Sequence, residues 1–333
     1  MKNIVGRSVL KLAITALIIF CLPANADISN ETLARAEAGD AISQYEAGLY
    51  YFTESGEEKR LQIAKDWFEK SAKQKYIPAI YEFGFLTMMA NEENAGAKGV
   101  ALMNLAAELG YAKAQYQLAL IHGMRGEHAE AVDLFEKAAK QEHTDAMVLL
   151  ADYYENGFIV SKNPGKATEL VNQALALGSP RAKNWWGKKY AEGRGVKKNP
   201  KKAFQLYSET AALDDGEGLH LVAHCYRTGF GTKKNYDESV RFARLGIQRR
   251  NSEAAGDLGS NYLTGSGVKK NIALGYALTK YCGKSCNAEM RLKVLTSLNE
   301  ISEPEQIVGD RLAEKMRQAT DILPIVDEYE KSK

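Results

Sequence analysis

The sequence predicts an all-α protein, a right-handed α-solenoid of stacked helix–loop–helix repeats with a period of 36 residues. Three observations carry this. A small residue recurs at Gly48, Gly84, Ala119, Ala151, Gly187, Ala223 and Gly259, at separations of 36, 35, 32, 36, 36 and 36. The residues four before, one before, at and three after each of these positions share one face of a helix, which gives each unit a buried stripe. Finally, in four units an asparagine precedes a second helix, at Asn163, Asn199, Asn235 and Asn271. One helix pair cannot bury its own apolar face, so the pairs must stack.

The chain opens on a different pattern. Lys2, Arg7 and Lys11 precede an apolar run from Leu12 to Leu22, and Ala24-Asn25-Ala26 follows. This reads as a secretory signal peptide over 1–26, cleaved after Ala26, with a periplasmic or secreted destination. The run is short for a span, which needs about 20 apolar residues, so no stable membrane span is expected after cleavage. Bulky Phe20 before Cys21 argues against lipidation there. Without residues 1–26, 41 Lys plus Arg face 42 Asp plus Glu, which gives no global pull toward nucleic acid.

Seven repeats are expected over 27–286. In the first helix of each, Tyr51, Tyr154, Tyr190, Tyr226 and Tyr262 lie three residues after the reference, and Ala79, Ala114, Ala146, Ala182 and Ala254 lie five before it. Small residues at both places let a neighbouring helix approach, and the tyrosine fills the gap beside them. Asn before the second helix caps it by accepting from a free backbone N–H. Pro164 and Pro200 then occupy the first helical position, where a missing N–H costs nothing. The second unit has Thr87 and the third His122 in place of tyrosine, and the third also loses four residues from its loop. Residues 287–333 read as a degenerate eighth repeat and a capping helix that starts after Ser302.

The stretches "AKNWWGKKYAEGRGVKKNPKKA" (182–203) and "AAGDLGSNYLTGSGVKKN" (254–271) resemble the SEL-one-like repeat (SLR) family, a relative of the tetratricopeptide repeats. The resemblance covers roughly 36–283 and implies a binding scaffold of the bacterial-envelope type. Roles implied by it are envelope adaptor, periplasmic immunity protein against a secreted toxin, and host-contact protein. Some cysteine-rich relatives bind β-lactams. The paired cysteines that mark them in every repeat are missing here, so a cell-wall or β-lactam hydrolase is the lesser alternative.

Residue chemistry points the same way. The loops "GRGVKKN", "GFGTKKN" and "GSGVKKN" lack the G-K-[ST] order of a phosphate-binding loop, and no strand precedes them as a dinucleotide fingerprint needs. They read as inter-helix loops. Their lysine pairs, Lys197-Lys198, Lys233-Lys234 and Lys269-Lys270, should align as a basic ridge open to an anionic partner or a membrane surface, or simply solvated. His220 and His224 share a helical face but lack a third ligand, so no metal is expected. Ser266 and Lys269 match S-x-x-K, yet the sister loops carry Arg194 and Phe230 at the serine position and no K-T-G accompanies it. Cys282 and Cys286 read as a local disulfide staple, and Cys225 as a buried hydrophobe. No catalytic residue and no cofactor are expected.

The binding surface is sought on a second stripe of the first helices, about 115° from the buried one. By resemblance to tetratricopeptide repeats, its positions line a concave groove. They are Tyr45, Leu49 and Phe52; Tyr81, Phe85 and Met88; then Tyr116, Leu120 and Gly123. Later units change to Val148, Asp152 and Glu155, to Asn184, Lys188 and Ala191, and to His220, His224 and Arg227. The expected partner is a protein or an extended peptide on the aromatic half. The competing reading is that residues 27–35, or tight coiling, cover this stripe.

Overall fold

The computed structural model describes residues 28–53, 58–90, 93–283, 292, 295 and 300–332. Within them the chain forms seventeen helices and no strand. The signal-peptide expectation and Cys286 lie outside these residues. The chain divides into two compact units, Met1–Ala174 and Leu175–Lys333.

The first unit begins with α1 (Asn30–Glu37), whose Ser29 side chain accepts from the Thr32 amide. It continues with α2 (Ala41–Thr53), α3 (Glu58–Lys73), α4 (Ile77–Met89), α5 (Ala95–Glu108), α6 (Ala112–Arg125), α7 (His128–Ala139), α8 (Thr144–Asn156) and α9 (Pro164–Ala176). Even-numbered members are the first helices of repeats and odd-numbered ones the second. Ala79, Ala114, Ala119, Ala146 and Ala151 are wholly buried, as the periodic small positions require. Ile80, Met103, Leu118 and Ile121 fill the space between them.

The second unit holds α10 (Pro180–Glu192), α11 (Pro200–Ala211), α12 (Gly216–Thr228), α13 (Tyr236–Gln248), α14 (Ser252–Thr264) and α15 (Ile272–Cys282). Gly187 shows why the reference position is small: a Cβ there would lie 2.3 Å from the Tyr207 ring. The unit closes with α16 (Glu303–Gln318) and α17 (Leu323–Lys331), the second of which the sequence reading did not include. Ser302 starts α16 through a capping box, its amide donating to Glu305 at 2.8 Å. Ala313, Met316, Leu323 and Val326 cover Leu258, Leu274 and Leu278, giving the last repeat a buried outer face.

The inter-helix loops share one geometry. The amides of Asn163, Asn199, Asn235 and Asn271 donate to the carbonyls of Tyr154, Tyr190, Tyr226 and Tyr262 at 2.8, 2.8, 3.0 and 3.0 Å. The same asparagine side chains accept from Lys166, Lys202, Glu238 and Leu274 amides. Gly195, Gly231 and Gly267 sit at φ near 72–74°, which L-residues avoid. The glycines therefore serve loop closure, as expected. In the first unit the equivalent position is Ile159, at φ 68° and exposed.

Candidate functional site

The first helices of the first unit carry the stripe, and the structure corrects its reading. Tyr81, Phe85 and Tyr116 are buried, with 0, 3 and 3% of their surface exposed. They are packing residues, not exposed anchors. The cause is the next repeat. Eight residues before each reference position stands a residue that leads into the first helix, and it lies over the preceding repeat's stripe. Tyr76 packs edge-on against Tyr45 at 5.3 Å, Tyr111 packs tilted against Tyr81 at 5.6 Å, and His143 stacks on Tyr116 at 4.5 Å. The cover on Tyr81 and Tyr116 thus comes from the following repeat rather than from residues 27–35. Tyr45, Leu49, Phe52, Met88 and Leu120 keep partial exposure.

The second unit uses the same positions with polar chemistry. Asn184 donates to Asp215, the residue that leads into the next repeat's first helix, at 2.8 Å and accepts from Thr210 at 2.7 Å. Lys188 pairs with Glu217 at 2.5 Å. His220 Nδ1 lies 2.7 Å from the buried Asp257 carboxylate, which also takes Arg227 Nη2 at 2.9 Å. Burial opposes the charge on Asp257, but His220, His224 and Arg227 hold its carboxyl well below the usual range. His220 is pushed down by burial and up by Asp257, and ends above its ordinary value. The two histidines are thus partners of a buried carboxylate. Among the described residues no group of three or more His, Cys, Asp or Glu side chains is arranged to hold a metal.

The other sequence candidates fall into place. Ser266 Oγ shares a hydrogen bond with Thr264 Oγ1 at 2.8 Å, a hydroxyl rather than a base. Cys225 is a buried unbridged thiol pushed up to about 12 by burial, which makes it inert. Cys282 is disulfide-bonded. All six ridge lysines are exposed.

An apolar groove opens where the stripe ends. Leu120, Gly123 and Met124 of α6, His128 and Phe135 of α7, and Leu149 and Tyr153 of α8 line about 260 Å³. Gly123 makes it. At this position the two preceding repeats carry Phe52 and Met88, whereas the nearest side-chain atom to a Cβ on Gly123 is Tyr153 Oη at 3.7 Å. His128 Nδ1 meets the same Oη at 3.0 Å and fixes one wall. Phe158 packs edge-on against His128 at 4.7 Å, and Met124, Phe158 and Ile159 leave about half their surface open. Of these residues the sequence reading singled out only Leu120 and Gly123. The shortened loop "HGMRGEH" was the sequence signal beside them, and it contains the lining residues Met124 and His128. The volume falls below the ~300 Å³ at which small-molecule pockets begin. It suits one or two inserted apolar side chains.

The Sel1 repeat family matches residues 41–76, 92–111, 112–143, 144–179, 180–215, 216–250 and 252–280. The chain belongs to this family. Sel1 repeat proteins generally mediate protein–protein interaction, and the scaffold is typically non-enzymatic. A solved Sel1 repeat protein from Oxalobacter formigenes is 27% identical over 72% of this chain and 96% of that one, with a TM-score of 0.54. A protective antigen with an SLR fold, present in uropathogenic Escherichia coli strains, is 27% identical over 81% of this chain, with a TM-score of 0.49. This chain spans 59% of that antigen's length. An immunity protein from Pseudomonas aeruginosa is 17% identical over 64% of this chain and 82% of its own, with a TM-score of 0.47. No curated protein matches the chain. No helix among the described residues is long and apolar enough to cross a membrane.

Proposed function

We propose that this protein is an exported, non-catalytic scaffold that binds a protein partner on its first unit. The partner seats one or two apolar side chains in the groove of α6, α7 and α8, and the rest of its contact runs over Leu120, Met88, Phe52 and Leu49. The observation that carries the reading is the groove itself. It is open, apolar and rimmed by half-exposed Met124 and Phe158, and exposed contiguous apolar surface marks interaction sites. The groove walls offer a single imidazole, held by a tyrosine hydroxyl, and no nucleophile beside it, which supports binding rather than turnover. Lys2, Arg7, Lys11 and the apolar run to Leu22 support export.

Gly123→Leu tests the site. It fills the groove floor inside a helix, where replacing glycine gains helix propensity. The assay is photo-crosslinking from position 124 in cells, with wild type beside the leucine variant and Leu109→Glu as a distant surface control. A partner captured by wild type and the control but lost from Gly123→Leu supports the groove. Equal capture by all three moves the site elsewhere. Mass spectrometry of the mature chain tests export: a first residue other than Asp27 sinks that part.

A further inference from the structure

The three loops 193–199, 229–235 and 265–271 carry seven cations, six lysines and Arg194, and no Asp or Glu. All three lie in the second unit, and their register is identical. A Cβ on Gly193 would lie 3.2 Å from Lys198 Cβ, one on Gly229 would lie 2.9 Å from Lys234 Cγ, and one on Gly265 would lie 3.2 Å from Lys270 Cβ. The second lysine of each pair therefore folds its stem over the first glycine of its own loop. The loops also abut their neighbours. Gly231 meets the Pro200 carbonyl at the start of α11, and Gly267 meets the Tyr236 carbonyl at the start of α13. Either approach would be closed to a side chain. Equivalent positions in abutting loops place the lysines in one row along an edge of the unit. All six are exposed, and none is paired with a carboxylate among the described residues.

We propose that this row is a docking edge for an anionic lipid surface. Charge complementarity selects an anionic partner, because an unpaired row of ammonium groups in a chain otherwise near neutrality concentrates attraction on one side. The form of the row selects a plane. These are loop tips rather than groove walls. Their cations are compact charges on flexible stems, able to meet headgroups at many heights. Base-stacking aromatics, which single-stranded nucleic acid needs, are absent from two of the three loops, and Phe230 in the third is half-buried. Tyr236, exposed beside the middle pair, is suited to the interfacial layer of a bilayer. The edge is separate from the groove of the first unit, so either assignment can fail alone.

The test is vesicle flotation of the full chain at low salt. Wild type is compared with a variant carrying all six row lysines as Gln. A second variant carries six exposed lysines of the first unit as Gln (Lys70, Lys73, Lys75, Lys98, Lys137 and Lys140). Circular dichroism and a melting curve check that each stays folded. The expected result is binding of wild type and the first-unit variant to phosphatidylglycerol-rich vesicles, loss at high salt, and no preference for phosphatidylcholine. The row variant should lose affinity at least about a hundredfold, from the roughly fivefold attributed to each lysine near an anionic membrane. Equal flotation of the row variant and wild type overturns the proposal. So does a row that captures soluble polyphosphate or duplex DNA but no vesicle.

Discussion

Tyr81→Phe should stabilise this protein, against the usual direction for deleting a hydrogen-bonding group. Tyr81 is wholly buried, and its hydroxyl has no hydrogen-bond partner among the described residues. A buried hydroxyl left without a partner costs about 1–3 kcal/mol relative to water. Phenylalanine keeps the ring, and with it the contact to Tyr111 at 5.6 Å and the Lys113 ammonium 5.0 Å above the centroid. The loss is one oxygen's dispersion contacts, a few tenths of a kcal/mol at most. The net expectation is a gain of about 1 kcal/mol, or roughly 2–4 °C in Tm for a unit of this size. Urea denaturation should show the midpoint moving up at unchanged slope. Tyr154→Phe is the control, because its hydroxyl donates to Glu136 at 2.8 Å and accepts from Lys166. The same chemical change there should lose about 1–3 kcal/mol. A Tyr81→Phe variant destabilised by 1 kcal/mol or more would refute the reasoning, since its hydroxyl would then be making a bond worth keeping.

Two further predictions concern charge. Glu82 is buried, with Lys113 at 2.7 Å as its partner, and burial raises its carboxyl above the usual range despite the lysine. Lys113→Ala should cost about 3–5 kcal/mol at pH 7 by stranding the carboxylate. A carboxyl raised in the folded state favours folding when protonated, so the deficit should shrink at pH 5, and adding Glu82→Gln should recover most of it. A deficit that does not vary with pH would show that Glu82 never carries the cost. His220 is raised above its ordinary value by Asp257, Glu253 and Glu217, so its contribution is full below about pH 6.5 and fades as pH rises through its folded value. Asp257, depressed, contributes above about pH 4 and loses this only in strong acid. The stability gap between wild type and His220→Asn should therefore narrow from pH 6 to pH 8, read as urea midpoints. A widening gap would reverse the assigned sign.

What the sequence determined by itself is local. The four Asn-capped loops, the left-handed glycines within them, and the small residues where helices touch all answer to chemistry within a few residues of themselves. Such chemistry repeats every 36 residues and is visible as repetition. The Ser302 cap of α16 is of the same kind. The exposure of the second stripe is not local. Tyr81 and Tyr116 carry the sequence pattern of an open aromatic face, yet each is roofed by a residue about thirty positions further on, Tyr111 or His143. The pairing of stripe tyrosines with aromatic lead-ins was written in the chain, but only the stacking distance between repeats says that these rings meet. The groove is tertiary in the same sense. Gly123 and a shortened loop are each unremarkable in sequence. Gly123 on α6 leaves out the side chain that the two preceding repeats supply at that position, and a close-packed interior keeps the hollow between α6, α7 and α8 that results.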